Sequence, residues 1–227
     1  MTFLEWIDLF KQILRQLPIT LFIFAFALVF SILFGFVLAY IRIQNIKGLS
    51  FIVRIFQSFI RSTPLILQLF LVYFALPQVL LLIGININHL DRFWFIVLAF
   101  SLHTSAYIAE IMRAAYLSVD YGQIEAAKTV GMKPKDILLR ILLPQAFKNS
   151  VPNMTTQIIE LFKDTSIAFT IGIIDMMGQV NLIIGNNYGL GMLEVYVAIS
   201  IIYWIICILI QATLTAIDKK LEISKTS

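Results

Sequence analysis

Long uncharged blocks set the hydrophobic pattern of this chain. No Asp, Glu, Lys or Arg falls between Gln16 and Ile41, between Ser62 and Leu90, or between Val195 and Ile217. A helix that crosses a bilayer needs about 20 consecutive, mostly apolar residues. These blocks predict spans over about 18–41, 58–83 and 195–216. Two more blocks are interrupted. Phe93 to Ala109 is uncharged and then meets Glu110 and Arg113, which predicts a span over 93–117. Val151 to Ile174 is mostly apolar but carries Glu160, Lys163 and Asp164, which predicts a span over 151–174. Membrane strands alternate in polarity over about 10 residues, and these runs do not. The expected fold is an all-α integral membrane protein with five transmembrane helices.

Before the first span the period changes. Phe3, Trp6, Ile7, Phe10, Ile13, Leu14 and Leu17 recur at helical spacing, with Glu5, Asp8, Lys11 and Arg15 between them. Residues 1–17 therefore read as an amphipathic helix in the outer interface. They are no secretory signal, because the apolar run that follows exceeds the 7–15 residues of a signal core. Composition agrees. Hydrophobic residues make up 60% and charged residues 13%, with a mean hydropathy of +0.91. A soluble domain carries about 25% charged residues, so a soluble enzyme and a disordered chain are excluded. The single cysteine, Cys207, forbids an intrachain disulfide. With no linker and no internal repeat, residues 1–227 read as one membrane domain in the lipid bilayer.

Charge matters here by position. Arg42, Lys47 and Arg54 follow the first span, Lys128, Lys133, Lys135, Arg140 and Lys148 follow the third, and Lys219, Lys220 and Lys225 follow the fifth. The alternate segments hold only Lys11, Arg15 and Arg92. Basic loops stay cytoplasmic, so the N-terminus is expected outside and the C-terminus inside.

The loop over 118–150 is therefore cytoplasmic, and it has internal punctuation. Asp120 suits a helix N-cap and Gly131 a left-handed stop. Pro134 suits the first turn of a second helix, with Ile137, Leu138, Ile141 and Leu142 as its stripe, and Pro144 is expected to break or bend that helix. Ala126 and Ala127 offer a low-relief surface with one charge, Glu125. On the residues alone, a docking element and an ordinary helical hairpin both remain open.

Glu125-Ala-Ala-x-x-x-Gly131 followed by Ile141-x-Leu-Pro144 resembles the EAA loop of ABC importer membrane subunits. Arg61-Ser-Thr-Pro-Leu-Ile-Leu-Gln-Leu-Phe70, Ser105-Ala-Tyr-Ile-Ala-Glu-Ile-Met-Arg113 and Leu161-Phe-Lys-Asp-Thr-Ser166 are similar to the polar amino acid branch (histidine, glutamine, arginine, cystine). The resemblance implies a type I ABC importer transmembrane domain in a bacterial cytoplasmic membrane. Glu125, Ala126, Ala127, Gly131 and Pro144 would couple it to an ATPase dimer. A second membrane subunit, an external solute-binding protein and an amino acid substrate would be its other partners. The chain has no G-x-x-x-x-G-K-[ST] motif, so it is not expected to be an enzyme. ATP and magnesium would be bound by the partner, and no cofactor by this chain. Leu193 to Trp204 resembles members assigned to cystine.

Glu160, Lys163 and Asp164 lie in mid-span, where one isolated charge costs about 2.5–3.5 kcal/mol. Their spacing puts them on one face, with Asn153, Thr156 and Gln157 earlier and Thr165 and Ser166 after. A zwitterion needs a cation for its carboxylate and an anion for its ammonium, and this set supplies both. A salt-bridged contact between two membrane subunits is the other reading. Arg61, Ser62, Thr63 and Gln68 flank Pro64, either as pathway lining or as repair of a kink. Glu110 and Arg113 suit an internal salt bridge, and His103 a packing role. No residue set has metal-ligand spacing, no nucleophile–base pair stands out, and nothing points to nucleic acid. An ion-coupled secondary transporter is the alternative, but broken helix pairs or repeats are not evident in the sequence.

Overall fold

The computed structural model describes residues 2–223. Of the basic tail, Lys225 lies outside the described residues, and Lys219 and Lys220 are described in backbone only. The described residues are helical nearly throughout. Helix α1 (Phe3–Leu14) opens with a capping box in which Thr2 N–H donates to Glu5 at 2.7 Å and Glu5 N–H to Thr2 at 3.4 Å. It runs almost without interruption into α2 (Leu17–Ile43), and the two form one 41-residue helical stretch whose charged residues all fall before Gln16 or at Arg42. Its stripe is not left to lipid alone, because Leu9 and Ile13 are buried in one cluster with Met176, Val180, Val195 and Ala198.

The expected second span divides at a proline. Helix α3 (Leu49–Ser62) stops at Thr63, which is extended at φ −118° and ψ 145°, as the residue before a proline prefers. The span proper is Leu65–Leu82, 18 residues rather than 58–83. It consists of α4 (Leu65–Phe70), a π turn over Leu71–Ala75, and α5 (Leu76–Leu82). Helix α6 (Arg92–Leu117) is the axis of the bundle. Two-thirds of its apolar window, 67%, is buried, against 22% in each of the other three unbroken spans.

Helices α2 and α6 meet along small residues. The buried row of α2 is Thr20, Ile23, Ala27, Ser31, Gly35 and Ala39, a spacing of three or four. Small side chains let membrane helices approach closely. A Cβ on Gly35 would lie 2.6 Å from Ile108 Cγ2 and 3.3 Å from the Ser105 carbonyl. Ser31 donates to Ala27 O at 2.6 Å, and Ser101 to Val97 O at 2.5 Å.

The predicted cytoplasmic hairpin is α7 (Tyr121–Thr129) and α8 (Pro134–Ile137). Pro144 does not break the second helix. A π turn over Leu138–Leu142 precedes α9 (Leu143–Asp164), and Leu143 N–H reaches back to Leu138 O, five residues away. That longer register makes room for a ring that would clash with a carbonyl in a regular helix. The segment Pro134–Ile171 is thus one continuous helix, ending in a 3-10 stretch over Thr165–Ile171. The left-handed Gly172 stops it, and α10 (Met176–Asn186) leaves at 47°. The fourth span is therefore a broken pair, which the apolar pattern alone does not reveal. Helix α11 (Met192–Ile223) closes the bundle.

Candidate functional site

Helix α9 presents Thr156, Glu160 and Lys163 at i, i+4 and i+7, so they line up along one face. Together with Pro152 on α9 and Gln211 and Thr215 on α11, they line a cleft of about 420 Å³, within the usual size of small-molecule sites. Among the described residues no ion pair joins Glu160, Lys163 and Asp164; the ion pairs lie at Glu110 and at Asp136. The cleft thus holds an ammonium and a carboxylate three residues apart that make no ion pair with each other.

The remaining residues of that predicted set do not line the cleft. Asn153 is exposed, and Gln157 is buried at 5% exposure. Asp164 and Ser166 are half-buried. Thr165 is fully buried, with its hydroxyl donating to Phe162 O at 2.6 Å. Gln211 and Thr215 were missed. Their signal is a pair of polar residues at i, i+4 in an apolar span.

Around Pro64 the side chains mend the helix break. Thr63 Oγ1 donates to Phe59 O at 2.9 Å, and the Gln68 amide donates to Ile60 O at 2.8 Å and Thr63 O at 3.0 Å. Gln68 is buried, and its oxygen meets His103 Nδ1 at 2.9 Å. Arg61 and Ser62 are exposed, and Arg61 sits 5.7 Å over the Tyr107 ring. Glu110 and Arg113 form the expected bridge, at 2.5 and 2.9 Å. Arg42 joins it at 4.0 Å and bonds Gln57, which ties α2, α3 and α6 together.

The hairpin has the caps its sequence predicts. Asp120 accepts from Gly122 N–H at 2.9 Å. Gly131, at φ 78°, donates to Lys128 O at 3.0 Å while Met132 N–H reaches Ala127 O at 3.1 Å. Those two bonds are the Schellman pattern. Glu125 and Ala126 are exposed. Ala127 is not part of the outer surface: it is the buried residue of α7, at 6% exposure, on a helix that packs against α8 and the π turn. One bond fastens the hairpin to α9, from Gln145 to Gln123 on α7 at 2.6 Å, and a second, from Asn149 to Ser118 at 2.9 Å, ties α9 to the end of α6.

This fold, with its apolar spans around a buried axis and a polar cleft, defines a polytopic membrane protein of the transport type. The model of the family described as "binding-protein-dependent transport system inner membrane component" matches residues 31–223, and the chain belongs to that family. It is 38% identical over 220 residues to the L-cystine transport system permease protein TcyL of Bacillus subtilis (strain 168), covering 96% of this chain and 91% of that protein. It is 35% identical to the arginine transport system permease protein ArtQ of the same organism, covering 92% of each. A crystal structure of an amino acid ABC transporter with histidines superposes with a TM-score of 0.84 at 29% identity, covering 97% of this chain and 99% of that one. The chain is an inner-membrane permease component with the type I ABC importer transmembrane fold.

Proposed function

We propose that this chain is the membrane-spanning subunit of an ATP-driven importer for a polar amino acid. An external solute-binding protein delivers the ligand, a second membrane subunit completes the pathway, and a separate ATPase dimer holds ATP and magnesium. The N-terminus lies outside and the hairpin inside, as the basic residues require.

One observation carries the reading. The helix that begins at the hairpin, at Pro134, is the same unbroken helix that bears Thr156, Glu160 and Lys163. A displacement of α7 by an ATPase passes through the Gln123–Gln145 bond to α9 and along that rod to Thr156, Glu160 and Lys163, roughly 16–27 Å away at 1.5 Å per residue. In the cleft, Lys163 takes the carboxylate of the zwitterion and Glu160 its ammonium. Thr156 and Gln211, on the facing walls of the cleft, supply hydrogen bonds.

Cystine is the first substrate to test, since the 38% relative is named for it, and arginine is the second, from the 35% relative. The test is uptake into vesicles that contain the chain with its ATPase, with loaded binding protein outside. ATP is expected to be required, and a sodium or proton gradient across vesicles holding the chain alone is expected to drive nothing. Gradient-driven accumulation by the chain alone would overturn the reading.

A further inference from the structure

A second cleft, also of about 420 Å³, lies at the opposite end of the bundle from the hairpin, beneath the connection between α5 and α6. Its floor is aromatic: Phe95 is buried, and the Tyr73 ring meets it edge-on, with centroids 5.5 Å apart at 86°. Tyr73 sits in the π turn of the second span, and such turns often mark functional positions. The polar part of the lining is Gln78, Asn88 and Arg92. Arg92 is the only charged residue among those described in the lining. The neighbouring Asp91 carboxylate is turned to its own backbone, accepting from Phe93 N–H at 2.8 Å.

Arg92 is exposed and makes a bond outside its own helix. Its Nη1 donates to Gly172 O at 3.2 Å. A Cβ on Gly172 would fall 2.5 Å from that same nitrogen, and the residue stands at φ 84°. Glycine suits residue 172 for its left-handed backbone, and the absence of a Cβ lets the guanidinium lie close on it. One donor is used there, and a guanidinium has five in a planar fork that matches a carboxylate. A cation, two amides and an aromatic floor, with no carboxylate in the lining, form a site for an anion attached to an organic body.

We infer that this cleft is a second carboxylate subsite, which takes the α-carboxylate of an amino acid on Arg92 at the outer mouth, before the ligand reaches Lys163. Gln78 and Asn88 bond the remaining polar atoms. Through Gly172 the same guanidinium touches the end of the helix that carries Glu160 and Lys163, so ligand at the mouth and the inner cleft share one rigid element. The inference rests on the N-outside topology and the importer reading proposed above.

The test uses the chain assembled with its ATPase in vesicles, in a Cys207→Ser background that removes the one native cysteine. Leu90→Cys places a thiol in the lining without touching its polar groups. The label is a membrane-impermeant maleimide added outside. L-Arginine is expected to slow labelling, and agmatine, the same molecule without its carboxylate, is not. Arg92→Gln is expected to raise the L-arginine concentration that halves labelling by about 10- to 100-fold, the effect of losing a charge-assisted hydrogen bond. Gln78→Leu, which leaves the Arg92–Gly172 bond alone, is expected to raise it by about 2- to 10-fold. Arg92→Lys retains part of the protection. Equal protection by agmatine, or none by L-arginine, overturns the subsite while uptake in the same vesicles still upholds the importer. Slower labelling in phosphatidylglycerol than in phosphatidylcholine vesicles, with no effect of L-arginine, assigns Arg92 to lipid phosphate and also overturns it. Labelling from the inside alone overturns the topology and the subsite together.

Discussion

The α2–α6 seam and the α9–α11 cleft are built from similar amounts of polar residue and do opposite things with it. Along the seam, Ser31 and Ser101 spend their hydroxyls on backbone carbonyls of the two helices, and Gly35 and Ala39 let the backbones close. No room is left there. Along the cleft, Glu160 and Lys163 make no ion pair, and the space between the helices is about 420 Å³. The difference teaches where a transport motion is affordable. Separating α2 from α6 would break the contacts that cross the seam, from Ser31 to Ser101 O at 3.5 Å and from Ser101 to Ala27 O at 3.4 Å, and would undo the close backbone packing at Gly35. Among the described residues that line the cleft, no side-chain hydrogen bond joins α9 to α11, so opening or closing the cleft breaks none.

The strongest way to break that contrast is to crowd the seam. Gly35→Leu drives a side chain into Ile108 Cγ2, where even a Cβ sits at 2.6 Å. Overpacking a tight core costs about 1–3 kcal/mol for each such insertion, and more where nothing yields. The expected result is loss of monodisperse protein after mild solubilisation, with a lowered Tm in what remains. The control is Gly185→Ala in α10, where a Cβ meets nothing within 4 Å, and the Tm there should hold or rise slightly. Equal damage at both positions would remove the special status of the seam.

The cleft is tested by neutralising it. Lys163→Met and Glu160→Gln should each assemble normally and fail in transport. Truncating one side of a charge pair costs about 2–5 kcal/mol of binding, or roughly 30- to 5,000-fold in affinity. The double variant sharpens the reading. If the two charges support only each other or a neighbouring subunit, joint replacement restores function relative to either single change. If they hold the two ends of a zwitterion, the double variant is at least as inactive as the worse single one. The measurement is ATP hydrolysis stimulated by loaded binding protein, with assembly followed by co-purification. Asp164→Asn should do less, because Asp164 does not line the cleft.

The hairpin gives a smaller effect. At Gly131 the backbone stands at φ 78° with nothing within 4 Å of a would-be Cβ. Gly131→Val therefore carries only the backbone penalty, about 1–2 kcal/mol. The C-terminal turn of α7 should fray, and co-purification with the ATPase should weaken while insertion is unchanged. Gly131→Asn, which tolerates that conformation, should retain most of the coupling. Normal uptake and normal co-purification in Gly131→Val would take α7 out of the coupling role.

What the sequence disclosed was local. The uncharged blocks located four of the spans, and Asp120 and Gly131 marked both ends of α7, because caps and apolar runs act over a few residues. What it withheld depends on neighbours. Pro64 and Pro144 look alike as helix breakers, yet only Pro64 breaks. A π turn precedes Pro144, and nothing in a propensity scale says which proline will be given that longer register. Ala127 reads as part of a smooth surface until α8 folds against it. The row of Glu160 and Lys163 was legible, but its opposite wall was not, because Gln211 and Thr215 belong to a helix some fifty residues further on and only packing brings them across.

The smallest expected effect lies at the joint between the hairpin and the rod. If α9 transmits the movement of α7 to the cleft, the side-chain bond that clamps them should affect coupling more than assembly. Gln145 donates to Gln123 on α7 at 2.6 Å and to its own helix at Ile141 O at 3.1 Å. Gln145→Leu keeps similar bulk and removes both bonds. A neutral hydrogen bond at a half-exposed site contributes about 0.5–1.5 kcal/mol, so a change of about 2- to 10-fold is the most it should produce. The quantity to follow is substrate moved per ATP hydrolysed. The ATPase should still bind, since Glu125 and Ala126 on the exposed side of α7 are untouched, and should still hydrolyse ATP, but less of each stroke should reach Lys163. A Gln145→Leu transporter with hydrolysis and uptake reduced in equal proportion would point to weakened docking instead. One with both rates unchanged would mean that backbone continuity from Pro134 onward carries the movement without the clamp.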